Sequence, residues 1–279
     1  MAKIKIVTDS ACDLPDALAA DAGIAVVPLT IRFGEEEFVD RQQLSPTEFW
    51  AKCKSSRVLP ETAAPSPGTF QVVYEAAKAD GYDGVLVVTL SAKLSATHQA
   101  ASLAADAVAA TIPVRVVDTS AVTMAQGLIA LELADRAAAG ATLEDLATQA
   151  NDLIGRAGLI GTLDTLEHLI KGGRVGGAKA LIGSMLSIKP LLELRDGEVV
   201  EAGRQRTRAR ALSACVATAE AAGPFRRLAV VHGAAADVDV VTSSLADAKT
   251  EVPIVVADMG SVVGTHAGPG IVGICWLKA

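Results

Sequence analysis

Apolar runs alternate with helix-start and turn signals along the first half of the chain. Residues 84–90 form a continuous apolar run, which is typical of a strand buried on both faces, and a second buried strand is predicted at 113–117. The other segments predicted there are strands at 3–8 and 24–33 and helices at 13–22, 66–80 and 95–110. A further helix is predicted to begin at the capping box Ser45-Pro46-Thr47-Glu48. This alternation favours a parallel sheet covered by helices on both faces.

The second half follows a different order. A helix that starts at Thr142 and ends near residue 156 is predicted to connect two domains. Asp196-Gly197 indicates a β-hairpin. The other predicted segments are helices at 174–186, 207–222 and 237–248 and strands at 190–194, 198–201, 227–232, 252–257 and 271–277. The predicted fold class is therefore α/β with two domains, an N-terminal parallel-sheet domain (residues 1–157) and a C-terminal mixed domain (158–279).

Composition and charge exclude several classes of protein. Hydrophobic residues make up 51% of the 279 residues and charged residues 20%, which is enough apolar material for a core. The net charge of −7 disfavours binding to nucleic acid. No apolar run reaches the ~18–20 residues of a membrane span, and Asp9 interrupts any signal-like segment. We therefore expect a cytoplasmic protein without stable membrane insertion, nucleic-acid partner, metal site or disulfide.

Two glycine patterns resemble nucleotide-binding motifs without their context. The segment 268–273 has the spacing of a dinucleotide fingerprint, but a strand is predicted after it where the motif needs a helix. Gly172 and Gly177 have the spacing of a phosphate-binding loop, yet Ala178 stands where that loop carries its lysine. Neither pattern therefore predicts nucleotide binding by this chain.

Hydroxyl, imidazole and guanidinium groups mark the candidate sites. Ser95 follows the buried strand 84–90, where ligands of parallel sheets bind, and it is either a helix cap or also an anion ligand. Thr62 and His266 fall in predicted loops rich in Gly or Pro, and structural and ligand-binding roles are both open. Arg174 and Arg206 belong to basic clusters that are either solvated or able to receive a phosphate or an acidic partner.

Seven short motifs together resemble the DegV family. They are Thr8-Asp9-Ser10, Thr62 with Pro65-Ser66-Pro67-Gly68, Leu94-Ser95-Ala96-Thr97, Lys171-Gly172-Gly173-Arg174, Ile188-Lys189-Pro190, Arg206-Thr207 and Thr265-His266-Ala267-Gly268-Pro269-Gly270. They span almost the whole chain in the family's order. The resemblance implies a bacterial two-domain α/β protein that buries a fatty acid. It also implies the role of a subunit that presents this lipid to a separate ATP-binding kinase subunit, which makes an acyl phosphate for phospholipid synthesis.

The resemblance also implies roles for individual residues. Thr62 and Ser95 would hydrogen-bond the lipid carboxylate, with His266 close to the same head group, and Arg174 and Arg206 would lie near the mouth of the pocket. ATP would bind only to the partner, so no cofactor is expected here. The sequence departs from the family's usual residues at Ala63, Ala64, Ala96 and His98.

Two other classes of function remain open from the residues alone. The first is a self-sufficient serine hydrolase that uses Ser95 and His266, although the chain has no Gly-x-Ser-x-Gly nucleophile elbow. The second is a binding protein for another small carboxylate or phosphate. Ester hydrolysis by the purified chain would support the first, and dependence on an added kinase would support the fatty-acid carrier.

Overall fold

The computed structural model describes residues 2–181 and 188–279, in which the strands form three sheets. The strands are β1 (Ile4–Asp9), β2 (Ala25–Val27), β3 (Thr30–Phe33), β4 (Glu36–Val39), β5 (Glu61–Ala63), β6 (Gly84–Thr89), β7 (Val114–Asp118), β8 (Ala157–Thr162), β9 (Lys189–Arg195), β10 (Glu198–Gln205), β11 (Phe225–His232), β12 (Val255–Asp258) and β13 (Val272–Lys278). The α-helices are α1 (Asp16–Asp21), α2 (Pro46–Ser55), α3 (Pro67–Ala79), α4 (Thr97–Ala107), α5 (Met124–Ala138), α6 (Leu143–Arg156), α7 (Glu167–Lys171), α8 (Arg208–Glu220), α9 (Val238–Ser244) and α10 (Ser261–Ala267).

The sheets confirm the α/β fold class. A parallel sheet has the order β2-β1-β6-β7, and a mixed sheet has the order β10-β9-β8-β13-β11-β12. Antiparallel pairing joins β4, β3 and β5 in the third sheet. Every strand of the mixed sheet begins at or after Ala157. The division into two domains at residue 157 stays a prediction.

The central helix α5 lies between the parallel and mixed sheets. It contacts β1 and β6 on one side and β8, β11 and β13 on the other. Every residue from 124 to 134 is buried. The sequence analysis did not predict this helix, because a helix buried on all sides lacks the polar face that produces a 3.6-residue pattern.

The predicted strand at residues 24–33 was wrong as a single element. The structure divides it into β2 in the parallel sheet and β3 in the three-stranded sheet. Pro28 lies between them and has no N–H for a sheet hydrogen bond, so the ladder is interrupted there. The backbone N–H of Leu29 instead donates to Ser10 Oγ at 3.1 Å.

The predictions based on the helix-start residues Ser45, Ser66 and Thr142 and on the hairpin turn are confirmed. Ser45 and Thr142 form capping boxes, and Ser66 caps α3. Asp196 and Gly197 both have positive φ in the β9–β10 turn, which confirms the hairpin. After Gly173 the chain forms a 3-10 helix over Gly176–Leu181, and the predicted helix end at residue 186 lies outside the described residues.

None of the helices in the described part of the chain has the length and apolar character needed to cross a bilayer. Cys12, Cys53, Cys215 and Cys275 are free thiols, and Cys53 is the one that is not fully buried.

Candidate functional site

A largely apolar cavity lies between the mixed sheet, β5, α10 and the segment that follows β6. The space between its wall atoms amounts to about 920 Å³ when the open solvent at its mouth is included. Aliphatic side chains provide most of its wall, among them Leu29, Leu90, Leu94, Leu159, Leu163, Leu169, Leu192, Leu194, Val231, Val262 and Ile271. The polar residues that also line it are Thr62, Ser95, Thr123, Arg174, Glu193 and His266. The structure therefore brings four of the five predicted site residues to one cavity.

Thr62 and His266 come from segments predicted as loops, and both predictions of local structure were wrong. Thr62 is the central residue of β5, where it pairs with Ile31, and His266 lies in the last turn of α10. Their side chains meet with 2.9 Å between Thr62 Oγ1 and His266 Nε2. A three-residue strand and a seven-residue helix are too short to show a recognisable period in sequence.

Burial keeps the imidazole of His266 neutral. Desolvation, followed by the positive charge of Arg174 and then by His168, lowers the pKa of His266 to about 4. Its Nδ1 is buried and has no hydrogen-bond partner among the described residues. A neutral imidazole carries one N–H, which on Nε2 would donate to Thr62 Oγ1 and leave the hydrogen of the Thr62 hydroxyl free for a ligand.

Gly172 makes room for that imidazole. A Cβ atom at residue 172 would overlap His266 Nδ1 and would lie 2.9 Å from Cε1. The glycine is therefore required by the close approach of a side chain, and its φ of −73° lies outside the left-handed region. The Lys171-Gly172-Gly173-Arg174 motif thus includes a packing residue of the site.

Ser95 lies at the start of α4. Its Oγ is 2.9 Å from Thr97 Oγ1 and accepts a hydrogen bond from the Thr97 N–H at 3.3 Å. The helix begins at Thr97 and its N-cap residue is Ala96, so Ser95 lies one residue before the cap and its prediction as the N-cap was wrong. Its hydroxyl nonetheless lines the cavity beside free helix N–H groups, which favour an anion.

The two arginines lie in different places. The half-buried Arg174 donates from Nε to the Leu94 carbonyl at 3.1 Å and from Nη1 to the Gly172 carbonyl at 2.6 Å. Arg206 is exposed in the turn between β10 and α8 and is not among the described residues that line the cavity. The roles of both residues stay predictions.

A second, polar depression adjoins the polar end of the cavity. Thr62, Arg174 and His266 line both, so these side chains stand at the passage between them. His168, Lys171 and Thr265 contribute only to the depression. The sequence analysis did not select His168 or Lys171 as site residues, although Lys171 belongs to a motif it quoted.

The hydrogen bonds at the site do not form a Ser–His pair. In the described residues His266 is hydrogen-bonded to Thr62, and Ser95 is hydrogen-bonded to Thr97. No carboxylate within that part of the chain accepts from His266 Nδ1. A serine hydrolase needs a base bonded to the nucleophile and a third group that orients the base. The site geometry is therefore unlike that of a hydrolase.

Solved structures share this fold over nearly the full chain. A DegV family protein from Thermus thermophilus, described by its fatty acid binding, has a TM-score of 0.91 and 31% identity and covers 99% of this chain and 100% of its own. DegV from Bacillus subtilis, described as a fatty acid binding protein, has a TM-score of 0.89 and 30% identity, with 99% of each chain covered.

Sequence relatives agree with the structural ones. A DegV domain-containing protein of Streptomyces coelicolor is 37% identical over 278 residues, which is 97% of each chain. Another from Listeria monocytogenes is 32% identical over 280 residues, or 98% of each chain. The family model described as "Uncharacterised protein, DegV family" matches residues 3–279. On these grounds the chain belongs to the DegV family.

Proposed function

We propose that this protein binds a long-chain fatty acid and presents its carboxylate to a separate ATP-dependent kinase subunit for acyl-phosphate formation. The observation that carries the proposal is the distribution of polar groups in the cavity. Thr62, Arg174 and His266 lie at one end, next to a polar depression. Most of the other lining residues are aliphatic, and Ser95, Thr123 and Glu193 are the polar exceptions. An amphiphile with one polar end matches that arrangement.

The polar end offers suitable donors for a carboxylate. A buried carboxylate is costly unless hydrogen-bond donors surround it. The hydroxyls of Thr62 and Ser95 are such donors, and the Arg174 guanidinium adds a positive charge nearby. An N–H on Nε2 of neutral His266 would donate to Thr62 Oγ1 and leave the Thr62 hydroxyl hydrogen free for the carboxylate. In the apolar part each buried methylene contributes ~0.8 kcal/mol, so a long chain dominates the affinity.

Relatives support the ligand class. The Thermus thermophilus and Bacillus subtilis proteins, both described as binding fatty acid, share this fold over 99% of this chain. In the proposal this chain works as a carrier without catalysis of its own, and ATP binds to the partner. The kinase would reach the carboxylate through the polar depression, where the two cations Lys171 and Arg174 outnumber the one carboxylate, Glu61, and favour a phosphate.

The binding step is tested by removing both hydroxyls. We expect the Thr62→Ala/Ser95→Ala double variant, purified and delipidated, to bind palmitate at least ~30-fold more weakly, since two hydrogen bonds to a charged group are lost. Isothermal titration calorimetry measures the affinity, and native mass spectrometry measures the lipid carried through purification. Thr69→Ala is the control, because Thr69 lies on α3 and its hydroxyl bonds Ser66.

Full lipid occupancy in the folded double variant would disprove the head-group assignment. A wild-type protein that neither carries nor takes up fatty acid would instead favour another small carboxylate or phosphate as ligand. Hydrolysis of acyl esters by the purified chain would favour the hydrolase.

The presentation step is tested with the kinase subunit, ATP and a bound fatty acid. We expect Arg206→Ala to retain its lipid and to lower acyl-phosphate formation by about tenfold, because an exposed cation is lost from the proposed contact with the kinase. Arg210→Ala, which removes an exposed cation of α8, is the matched control. Equal rates for wild type and Arg206→Ala would remove Arg206 from the kinase contact.

A further inference from the structure

The floor of the apolar cavity is one face of the β8–β13 strand pair. Leu159, Gly161 and the following Leu163 alternate along one side, and Ile271, Gly273 and Cys275 alternate along the other. All six residues line the cavity. Because side chains of a strand point to opposite faces in turn, this face of both strands belongs to the cavity.

The opposite face of the same strands is packed. Ile160, Val272, Ile274 and Trp276 belong to a separate hydrophobic cluster that includes Leu212 and Cys215 of α8. The two faces of this strand pair therefore have different partners, α8 on one side and the cavity together with α5 on the other.

Two glycines face each other in the middle of the cavity floor. Gly161 pairs directly with Gly273 between β8 and β13, and the same row continues to Val231 on β11 and Leu192 on β9. These two neighbouring positions therefore have no side chains. On one side of them the floor carries Leu163 and Ile271, and on the other side it carries Leu159 and Cys275. The result is a local deepening of the floor, which we call the glycine saddle (Gly161 and Gly273).

Backbone geometry does not explain these glycines. Neither has a φ in the left-handed region, and a Cβ atom would come no closer than 3.1 Å to any neighbour, the Val272 carbonyl oxygen for Gly161 and Val231 Cγ2 for Gly273. An alanine would therefore fit after a shift of a few tenths of an ångström. What the two glycines keep open is the space above the sheet.

Two leucines bound the cavity at the end away from the polar groups. Leu159 and Leu194 line the cavity and also a separate depression beside Thr119, Ser120 and Asp196. Leu159 lies two residues before Gly161 on one side of the saddle. Ile271 lies two residues before Gly273 on the opposite side, and it closely follows His266 in the chain. Leu159 and Leu194 thus separate the inner end of the cavity from the surface.

We propose that the glycine saddle and the leucine pair Leu159/Leu194 determine which acyl-chain lengths this protein accepts. The saddle admits the middle of the chain, and the leucines stop its methyl end. The proposal rests on the fatty-acid-binding function proposed above. Each methylene that gains or loses its place in the cavity changes the affinity about fourfold, the equivalent of ~0.8 kcal/mol.

The test measures the affinities of saturated fatty acids of increasing length, from lauric to arachidic acid, for the delipidated wild-type protein and its variants. Gly273→Ala reduces the saddle, so we expect the preferred acid to become shorter, with at least about fourfold weaker binding of the longest acid that wild type accepts. Leu194→Ala opens the inner end, so we expect longer acids to gain by about fourfold per added methylene. Ile274→Val alters the opposite face of β13 and is the control, expected to leave the preference unchanged.

Gly161→Ala and Leu159→Ala repeat both tests from β8, so that a variant that fails to fold does not decide the outcome. An unchanged order of preference in folded variants at both glycines and both leucines overturns this inference while leaving the proposed function intact. Absence of binding of any acid by wild type overturns the proposed function itself.

Discussion

His266 combines a bonded and an unbonded ring nitrogen in a buried setting. Nε2 lies 2.9 Å from Thr62 Oγ1, whereas Nδ1 packs on Gly172 without a polar partner in the described residues. Charging this ring would leave a buried N–H without an acceptor close to the Arg174 guanidinium, so the neutral form is favoured. His266 therefore contributes a neutral hydrogen-bonding group to the site, and the positive charge available to an anion comes from Arg174.

We expect the imidazole of His266 in the ligand-free protein to titrate near its lowered pKa of about 4. Arg174→Ala should raise this pKa, because a nearby positive charge is removed. NMR of protein with labelled histidine, followed from pH 7 downward, measures both. Arg210→Ala, an exposed cation of α8, serves as the control and should leave the titration in place. A midpoint near the ordinary value of ~6.5 in wild type would contradict this description of the site.

The central element is α5, and its packing demands a glycine. A Cβ atom at Gly127 would lie 2.8 Å from the Cys12 carbonyl oxygen and 3.1 Å from two atoms of Leu14. Gly155 near the end of α6 is the opposite case, with nothing within 4 Å of a Cβ atom. Two helical glycines in the same chain thus differ in one respect, the space around them.

Replacing each of these glycines by alanine should have opposite effects. Gly127→Ala should lower the free energy of unfolding by ~1–3 kcal/mol, because the cost of overpacking exceeds the gain in helix propensity. Gly155→Ala should raise it by up to ~1 kcal/mol, because only the gain in propensity applies. Urea denaturation of the two single variants measures the difference. Equal changes in both would show that the close approach at Gly127 is relieved without cost.

On the scale of the whole molecule, the buried Asp13 joins segments far apart in sequence. Its carboxylate accepts from Thr123 Oγ1 at 2.6 Å and from the Gly260 N–H at 2.8 Å. Thr123 precedes α5, and Gly260 caps α10, the helix that carries His266. Burial raises the pKa of Asp13 to about 7, against the opposing effects of the Thr123 hydrogen bond and the charge of Arg41.

This raised pKa makes stability depend on pH. Between about pH 4 and 7 folded Asp13 holds a proton that the unfolded chain has released, so its contribution grows as the pH falls. Asp13→Asn keeps the shape and removes the titration, since its amide can donate to the Thr123 hydroxyl. We expect wild type to gain stability relative to Asp13→Asn on going from pH 7 to 4, by at most ~1.4 kcal/mol per pH unit. Urea denaturation at several pH values tests this, and a constant difference would contradict it.

Signals that act within a few residues could be interpreted from the sequence. The Ser45 capping box, the helix start at Thr142 and the Asp196-Gly197 turn all appear where they were predicted. The continuous apolar run at residues 84–90 likewise became the buried strand β6. These features depend on hydrogen bonds between neighbours in the chain or on burial of a whole segment, so the sequence carries them directly.

The sequence by itself determined the α/β class, the order of most elements and the candidate side chains Thr62, Ser95, Arg174 and His266. Only the tertiary structure decided that these four line one cavity, that α5 lies between two sheets, and that Gly161 faces Gly273. The physical reason is sequence separation. Thr62 and His266 are 204 residues apart, and contact between them requires the packing of several intervening elements, which no local pattern encodes.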